Sequence, residues 1–298
     1  MLPVTVLESV VRRAPLGIRF YDLARGANVG GGLTVKAWPI GRPADARDAL
    51  VSPMSGIYGF RSLPGLRDFE AGDRPAAAWC GSPPYGGSLE AAEVDLEALR
   101  ALVRGGGEPP LANFVVTVQD REGRFLPQTL FLCLPREQLL EAPLFSSPAR
   151  PALPGAGVMR AELWERGRNR PAAWALVAAQ ADGLTFVGVA DARGMAVIFL
   201  PYARPLPPMV GSPPYGGMPL GGLSWPLRVE VLYQPDRQRF LAGRAIPDTR
   251  SVIEQPIAHI YRTDSAAGAV DYIEPALTFR QDLVLATAGN SRLLVDPV

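Results

Sequence analysis

Between Val158 and Pro201 the chain is made of short apolar runs separated by turn residues, and this stretch restricts the fold more than any other. Val158, Arg160, Glu162 and Trp164 alternate with Met159, Ala161, Leu163 and Glu165, a period of two that belongs to a half-buried strand and to no helix. Polar residues from Arg166 to Pro171 end the run. Two apolar runs, Ala173 to Gln180 and Leu184 to Asp191, then flank Ala181-Asp182-Gly183, where the Asp-Gly pair supplies the positive φ angles of a tight hairpin. Asp191-Ala192-Arg193-Gly194 is a second turn. Gly194 tolerates the left-handed conformation that closes it, and Met195 to Leu200 follows as a strand stopped by Pro201. Four consecutive strands are predicted, arranged as a meander that needs a second sheet to cover its apolar face.

The remaining sequence carries similar signals. Strands are expected at Gly17 to Ala24, Leu33 to Trp38, Ser55 to Phe60 and Phe114 to Gln119, interrupted by the Gly30-Gly31-Gly32 run and the Leu63-Pro64-Gly65 turn. Asp120-Arg121-Glu122-Gly123 leads into Phe125 to Leu134 and matches the Asp191–Gly194 turn in form, so each half is expected to hold a sandwich with a similar hairpin. One helix is predicted over Ser88 to Arg104. Ser88 is its N-cap, Arg100 and Arg104 sit in its last turns, Gly105 stops it, and Leu89, Ala92, Leu96, Leu99 and Val103 line one face. That face either lies on the sandwich or is offered to a partner subunit. Five prolines between Leu134 and Gly157 place a domain junction near residue 150.

The expected fold class is therefore mainly β, two antiparallel β-sandwiches with one inserted helix and an extended C-terminal segment. Residues 1–150 form the first sandwich, with the helical insertion near 88–104. Residues 151–235 form the second, completed by the alternating run Leu227 to Tyr233. Residues 236–298 supply C-terminal strands, or an arm, that pack on the second domain or on a neighbour. Ile257 to Tyr261, Ala276 to Phe279, Leu283 to Ala286 and Leu293 to Val295 are the candidate strands there.

Composition excludes several classes of function. The net charge is +1 over 298 residues, so the overall balance calls for neither nucleic acid nor an anionic membrane. The most apolar window, Ala172 to Ala190, contains Gln180, Asp182 and Gly183 and is no membrane span. Cys80 and Cys133, the only cysteines, are read as free thiols in a reducing compartment. Glu8, Arg12 and Arg13 interrupt what a secretion signal would need, and a cytoplasmic location is expected.

Any Ser-His-Asp or Cys-His site would have to use His259, the only histidine, which sits in a strand-like run. No GxSxG elbow, P-loop, dinucleotide fingerprint or zinc ligand set is present. Asp22, Asp120, Asp182 and Asp191 lie at strand ends, where turn formation explains an aspartate. The reading is thus no enzyme, no cofactor and no metal.

Two features remain as candidate partner contacts. The loop Gly81-Ser82-Pro83-Pro84-Tyr85-Gly86-Gly87 recurs letter for letter at residues 211–217, which makes Tyr85 and Tyr215 either equivalent contact residues or parts of a duplicated linker. Arg166, Arg168 and Arg170 form a basic loop that either grips a carboxylate-bearing surface or is simply solvated.

Two pieces of the chain resemble the carboxypeptidase-regulatory-like, or transthyretin-like, Ig-like β-sandwich: Ser55 to Leu66 (SGIYGFRSLPGL), and the Arg160 to Leu200 stretch with its AWALV…GVADARGMAVIF pattern. The whole chain is also similar to structural proteins encoded with bacterial contractile injection systems, the phage-tail-like particles. That likeness rests on Arg19-Phe20-Tyr21-Asp22, Ser55 to Leu66, Gly123-Arg124-Phe125-Leu126-Pro127 and the closing LTFRQDLVLATAGNSRLLVDP. It implies a non-enzymatic baseplate or cap subunit of a cytoplasmically assembled particle, bound to other particle subunits in a homo-oligomer or a symmetric hetero-assembly. The alternative is a carbohydrate- or surface-binding β-sandwich module, with a groove lined by Trp38, Trp79, Trp164, Trp174 or Trp225 on one exposed face.

Overall fold

In the computed structural model, which describes residues 13–75, 97, 99–100, 112–202 and 223–298, the chain is mainly β and folds into two sandwiches. Tyr85, Tyr215, both GSPPYGG copies and most of the predicted 88–104 helix lie outside the described residues. Glu97, Leu99 and Arg100 are helical, with Leu99 buried.

The first half contains β1 (Gly17–Asp22), β2 (Ala27–Asn28), β3 (Leu33–Pro39), β4 (Arg47–Asp48), β5 (Leu50–Val51), β6 (Tyr58–Gly59), β7 (Phe114–Asp120), β8 (Gln128–Leu132) and β9 (Leu140–Leu144). One sheet is built around β1, which pairs antiparallel with β6 and parallel with β9. The facing sheet runs β4-β3-β7-β8, with β7 antiparallel to both neighbours. Alternation sends Ile18, Phe20, Val35, Ala37, Val116, Val118, Leu130 and Leu132 into the space between them. Gly30 and Gly56 let two loops touch here. A Cβ on Gly56, whose φ is +65°, would lie 3.1 Å from the Gly30 Cα.

The second half contains β10 (Ala156–Glu165), β11 (Arg170–Pro171), β12 (Leu176–Ala181), β13 (Leu184–Val189), β14 (Met195–Pro201), β15 (Ser224–Pro226), β16 (Arg228–Leu232), β17 (His259–Tyr261), β18 (Ala269–Val270), β19 (Tyr272–Ile273), β20 (Ala276–Thr278), β21 (Leu283–Leu285) and β22 (Leu293–Asp296). The predicted strands are present, and Asp182 and Gly183, at φ 49° and 81°, close the β12–β13 hairpin.

The strands do not form the expected meander. β10 pairs along its length with β14, while β12 and β13 lie in the other sheet with β16 and β19. The Asp191–Gly194 turn is the cause. It docks on β10, where the Leu163 N–H donates to the Gly194 carbonyl at 2.8 Å, and a Cβ on Gly194 would stand 2.3 Å from the Leu163 carbonyl oxygen. The chain thus enters the turn from one sheet and leaves it in the other. The similar Asp120–Gly123 turn returns β7 to β8 within a single sheet, so the two turns share chemistry and differ in what they connect.

The tail strands enter both large sheets of the second half, and β20 pairs separately with β15. β21 and β22 run parallel to β10, β17 pairs with β22, and β19 extends β16. Each half therefore pairs its first strand in parallel with its last, β1 with β9 and β10 with β22.

The halves meet across a third apolar cluster that includes Leu126, Phe145, Trp174, Leu176, Val189, Leu232, Val252 and Ile253. Arg150 pins this junction. Its guanidinium donates to both Asp22 oxygens at 2.9 and 2.6 Å and to Ser146 Oγ at 2.9 Å. It also lies 4.9 Å from the Phe125 ring of the first half and 5.6 Å from the Phe199 ring of the second. Cys133 is disulfide-bonded, and the sequence holds one other cysteine, Cys80. This corrects the expectation of two free thiols. Far-separated cysteines form no recognisable motif, so spacing alone says nothing of their proximity.

Candidate functional site

The three arginines of the basic loop come together at one end of the second sandwich, where β10 turns into β11. The turn is shaped from within. Asn169 takes φ 48°, and its Oδ1 accepts the Trp164 indole N–H at 2.9 Å. The Gly167 N–H donates to Asp296 Oδ1 at 2.7 Å, which ties the loop to β22, and the Tyr261 hydroxyl donates to the other Asp296 oxygen at 3.0 Å.

Each arginine already faces a carboxylate of this chain. Arg166 lies 3.3 Å from Asp264 Oδ1, donates to the Asp264 carbonyl at 3.0 Å and stacks 5.0 Å from the Tyr261 ring centre. Arg168 stands between Glu165 at 3.4 Å and Asp236 at 3.5 Å. Arg170 donates to Glu165 Oε2 at 2.7 Å. Glu165, only 1% exposed, is the hub, because Tyr233 also donates to it at 2.9 Å. Burial, followed by this carboxylate, pushes the Tyr233 hydroxyl far above the usual phenol range. The bond to Glu165 likewise raises Arg170. Burial and then Asp296 raise Tyr261. Beside them Arg292 stacks 3.7 Å over Trp164 and bonds Glu162 at 2.7 Å.

This arrangement holds fixed charge well and moves protons poorly. Two guanidinium groups and a phenol converge on one buried carboxylate, while the outer edges of the three half-exposed arginines keep donors free for a partner. Sequence reading found the arginines in the run Glu165 to Arg170 without the role of Glu165, and missed Tyr233, Tyr261, Asp264 and Asp296. One signal was available: Glu165 is in phase with Leu163 and Ala161, so the alternation itself turned it inward.

A second surface feature is the aromatic group Tyr202, Trp225 and Phe279, with ring centres 4.8 to 6.5 Å apart. It sits over Gly157 at the start of β10, and Trp164 is seven residues further on, roughly 23 Å along the strand. Trp38 and Trp174 are buried. The described tryptophans therefore do not line the single groove that the carbohydrate-binding reading called for, and Trp79 lies outside the described residues. His259 lies in β17 with Nδ1 3.2 Å from Asp271. Among the described residues no group of three or more His, Cys, Asp or Glu is placed to hold a metal ion, and no helix is long and apolar enough to cross a membrane.

No protein-family model and no curated protein matches this chain. Among solved structures it is similar to the Bacillus anthracis TIE protein, at 9% identity over 96% of this chain and 34% of that one, with a TM-score of 0.24. It is also similar to a candidate adhesin from Bacteroides ovatus, at 10% identity over 99% of both chains and a TM-score of 0.24. For the Streptococcal ancillary pilin the identity is 8% over 96% of this chain and 63% of that one, and the TM-score is 0.19. The chain spans about a third of the length of the first of these.

Proposed function

We propose that the chain is a non-enzymatic binding module, two firmly joined β-sandwiches that hold loops out to a partner protein or surface. The observation that supports this reading is where its polar chemistry is placed. Asp120 and Arg124 fix the β7–β8 loop, Asp191 fixes the turn after β13 by accepting the N–H groups of Arg193 and Met195, and Glu165, Asp264 and Asp296 fix the arginine loop. Loops already held in one shape lose little conformational entropy when a partner binds them.

The disulfide at Cys133 favours a surface role, since such bonds persist in oxidising compartments and are rare in reducing ones. The narrower reading, a subunit of a phage-tail-like particle assembled in the cytoplasm with symmetric neighbours, is supported by the sequence resemblance alone. Of the residues behind that resemblance, Phe20, Asp22, Tyr58, Phe60, Leu63 and Phe125 are buried and serve the fold.

The test is retention on the immobilised, oxidised protein. Glycan arrays, cell-surface fractions and particle fractions of the producing cells would be applied, with Arg168→Glu as the control variant. Retention of a discrete glycan or surface protein, weakened in R168E, is the expected result. Exclusive retention of particle components would select the narrower reading. Turnover of a substrate, with no retained ligand, would overturn both.

A further inference from the structure

We propose that the outer edge of β13, from Thr185 to Val187, is a docking site for one extended, uncharged segment of a partner protein, which joins the second sandwich as an added strand. The site lies apart from the arginine loop and goes beyond the function proposed above. Its main-chain geometry follows from the β12–β13 register. The Ala190 N–H donates to the Ala175 carbonyl at 2.8 Å, and bonded pairs recur at every second residue of an antiparallel ladder, so Gly188 and Phe186 also bond β12. Thr185 and Val187 therefore turn their N–H and C=O groups away from β12. Among the described residues no strand pairs with that side of β13.

Exposed strand edges invite unwanted pairing, and the other edges of this fold are short, charged, interrupted or covered. β2, β4, β5, β11, β18 and β19 have two residues each, and β15, β20 and β21 have three. β4 consists of Arg47 and Asp48, and β9 holds Glu141 and Pro143. β8 is covered from the second half: the Phe131 N–H donates to Asp248 Oδ1 at 3.1 Å, and the Thr249 hydroxyl donates to the Thr129 carbonyl at 3.1 Å. β14 is buried at Val197 and Phe199. β13 has six residues, no charge and no proline, and it is half-exposed from Leu184 to Val187. Among the described residues it is the one long edge without such protection.

Open donors and acceptors two residues apart, about 7 Å along the strand, match the repeat of another extended chain. The side chains around them limit what that chain can carry. A Cβ on Gly188 would stand 2.7 Å from the Val197 carbonyl oxygen, so β13 touches β14 there. Beyond that contact lies a notch of about 30 Å³ between Thr185–Val187 and Val197–Phe199, walled also by Leu23 and Ala24 of the first half. It takes the end of one small side chain, and these walls carry no charge. A second copy aligned edge to edge would have to bring its bulk past Leu23 and Ala24, whereas a single extended chain would not. This favours a partner's segment over another copy.

The test uses the full, oxidised chain and a displayed library of short, unconstrained peptides. An uncharged peptide rich in β-branched residues should be selected, and a library that yields no binder overturns the proposal. Thr185→Pro removes the open N–H and spares the β12 ladder, so it should weaken binding of the selected peptide by about tenfold or more. R168E, altered in the arginine loop, should bind that peptide as the wild type does. Equal binding by the wild type and T185P overturns the proposal, and so does a loss confined to R168E, which would move the peptide to the arginine loop. A dimer of the chain alone that T185P dissociates, seen by sedimentation, would make a second copy the occupant and overturn the partner segment. If circular dichroism shows that T185P does not fold, hydrogen exchange of the wild type decides. The Thr185 and Val187 amides should exchange more slowly once the peptide is added, and unchanged rates overturn the proposal.

Discussion

Arg150 carries the junction because it faces both halves with different parts of one group. Its edge donors reach Asp22, and its guanidinium lies over the rings of both Phe125 and Phe199. A buried ion pair adds little over apolar residues of the same volume, but removing one partner strands the other. Arg150→Met should therefore destabilise the chain by about 3–5 kcal/mol, and the pair D22N with R150M by clearly less than R150M alone. Urea unfolding of the two variants checks this, and equal losses would show that the ion pair is not what matters there. Neither partner announces itself in the sequence. Asp22 looks like any strand-end aspartate, and Arg150 sits in a proline-rich run that reads as a linker. Their meeting depends on the folding of a stretch in which they stand 128 positions apart.

At the level of elements, Gly183 and Gly194 separate what a turn needs locally from what it needs of its surroundings. Both have φ 81°. Nothing lies within 4 Å of a Cβ placed at Gly183, whereas at Gly194 the Leu163 carbonyl oxygen lies at 2.3 Å. Gly183→Ala should cost about 1 kcal/mol from backbone strain alone, and Gly194→Ala at least about 2–3 kcal/mol, because the turn must leave β10 to make room. Thermal unfolding of the two variants is the check, and equal losses would remove the argument that the turn is docked. The hairpin at Asp182-Gly183 was legible because its geometry is set by two adjacent residues. β9 was not, because Pro143 in Leu140–Leu144 reads as a breaker. The strand tolerates it at a sheet edge, where among the described residues β9 pairs with β1 and no other strand.

Across the whole molecule, the third apolar cluster, the Arg150 pin and the Asp248 contact join the halves into one cooperative unit. The full chain should unfold in one transition, and the segment 151–298 made alone should expose Trp174, Leu176 and Val189 and bind a hydrophobic dye. A segment as stable as the full chain would mean that the halves are merely tethered. Reduction should lower the melting temperature, since breaking a disulfide releases chain entropy to the unfolded state, typically by about 2–5 kcal/mol. An unchanged melting temperature under reductant would mean that the bond at Cys133 does not restrain the fold. The candidate site divides along the same line. Arg166, Arg168 and Arg170 were visible as a charge cluster, whereas Asp236, Asp264 and Asp296, which neutralise or orient that loop, come from elements far along the chain.

What this sequence determined by itself was local: the strands, their buried faces and the Asp-Gly hairpin, because period-two alternation and positive-φ residues act over a few positions. Alternation fixes which side of a strand is apolar and is silent about which strand lies beside it. The tertiary structure decided the rest. It split the predicted meander between two sheets, threaded the tail strands alongside β10, and turned Glu165, Asp22 and Asp248 from ordinary polar residues into buried carboxylates that hold one arginine loop and one junction.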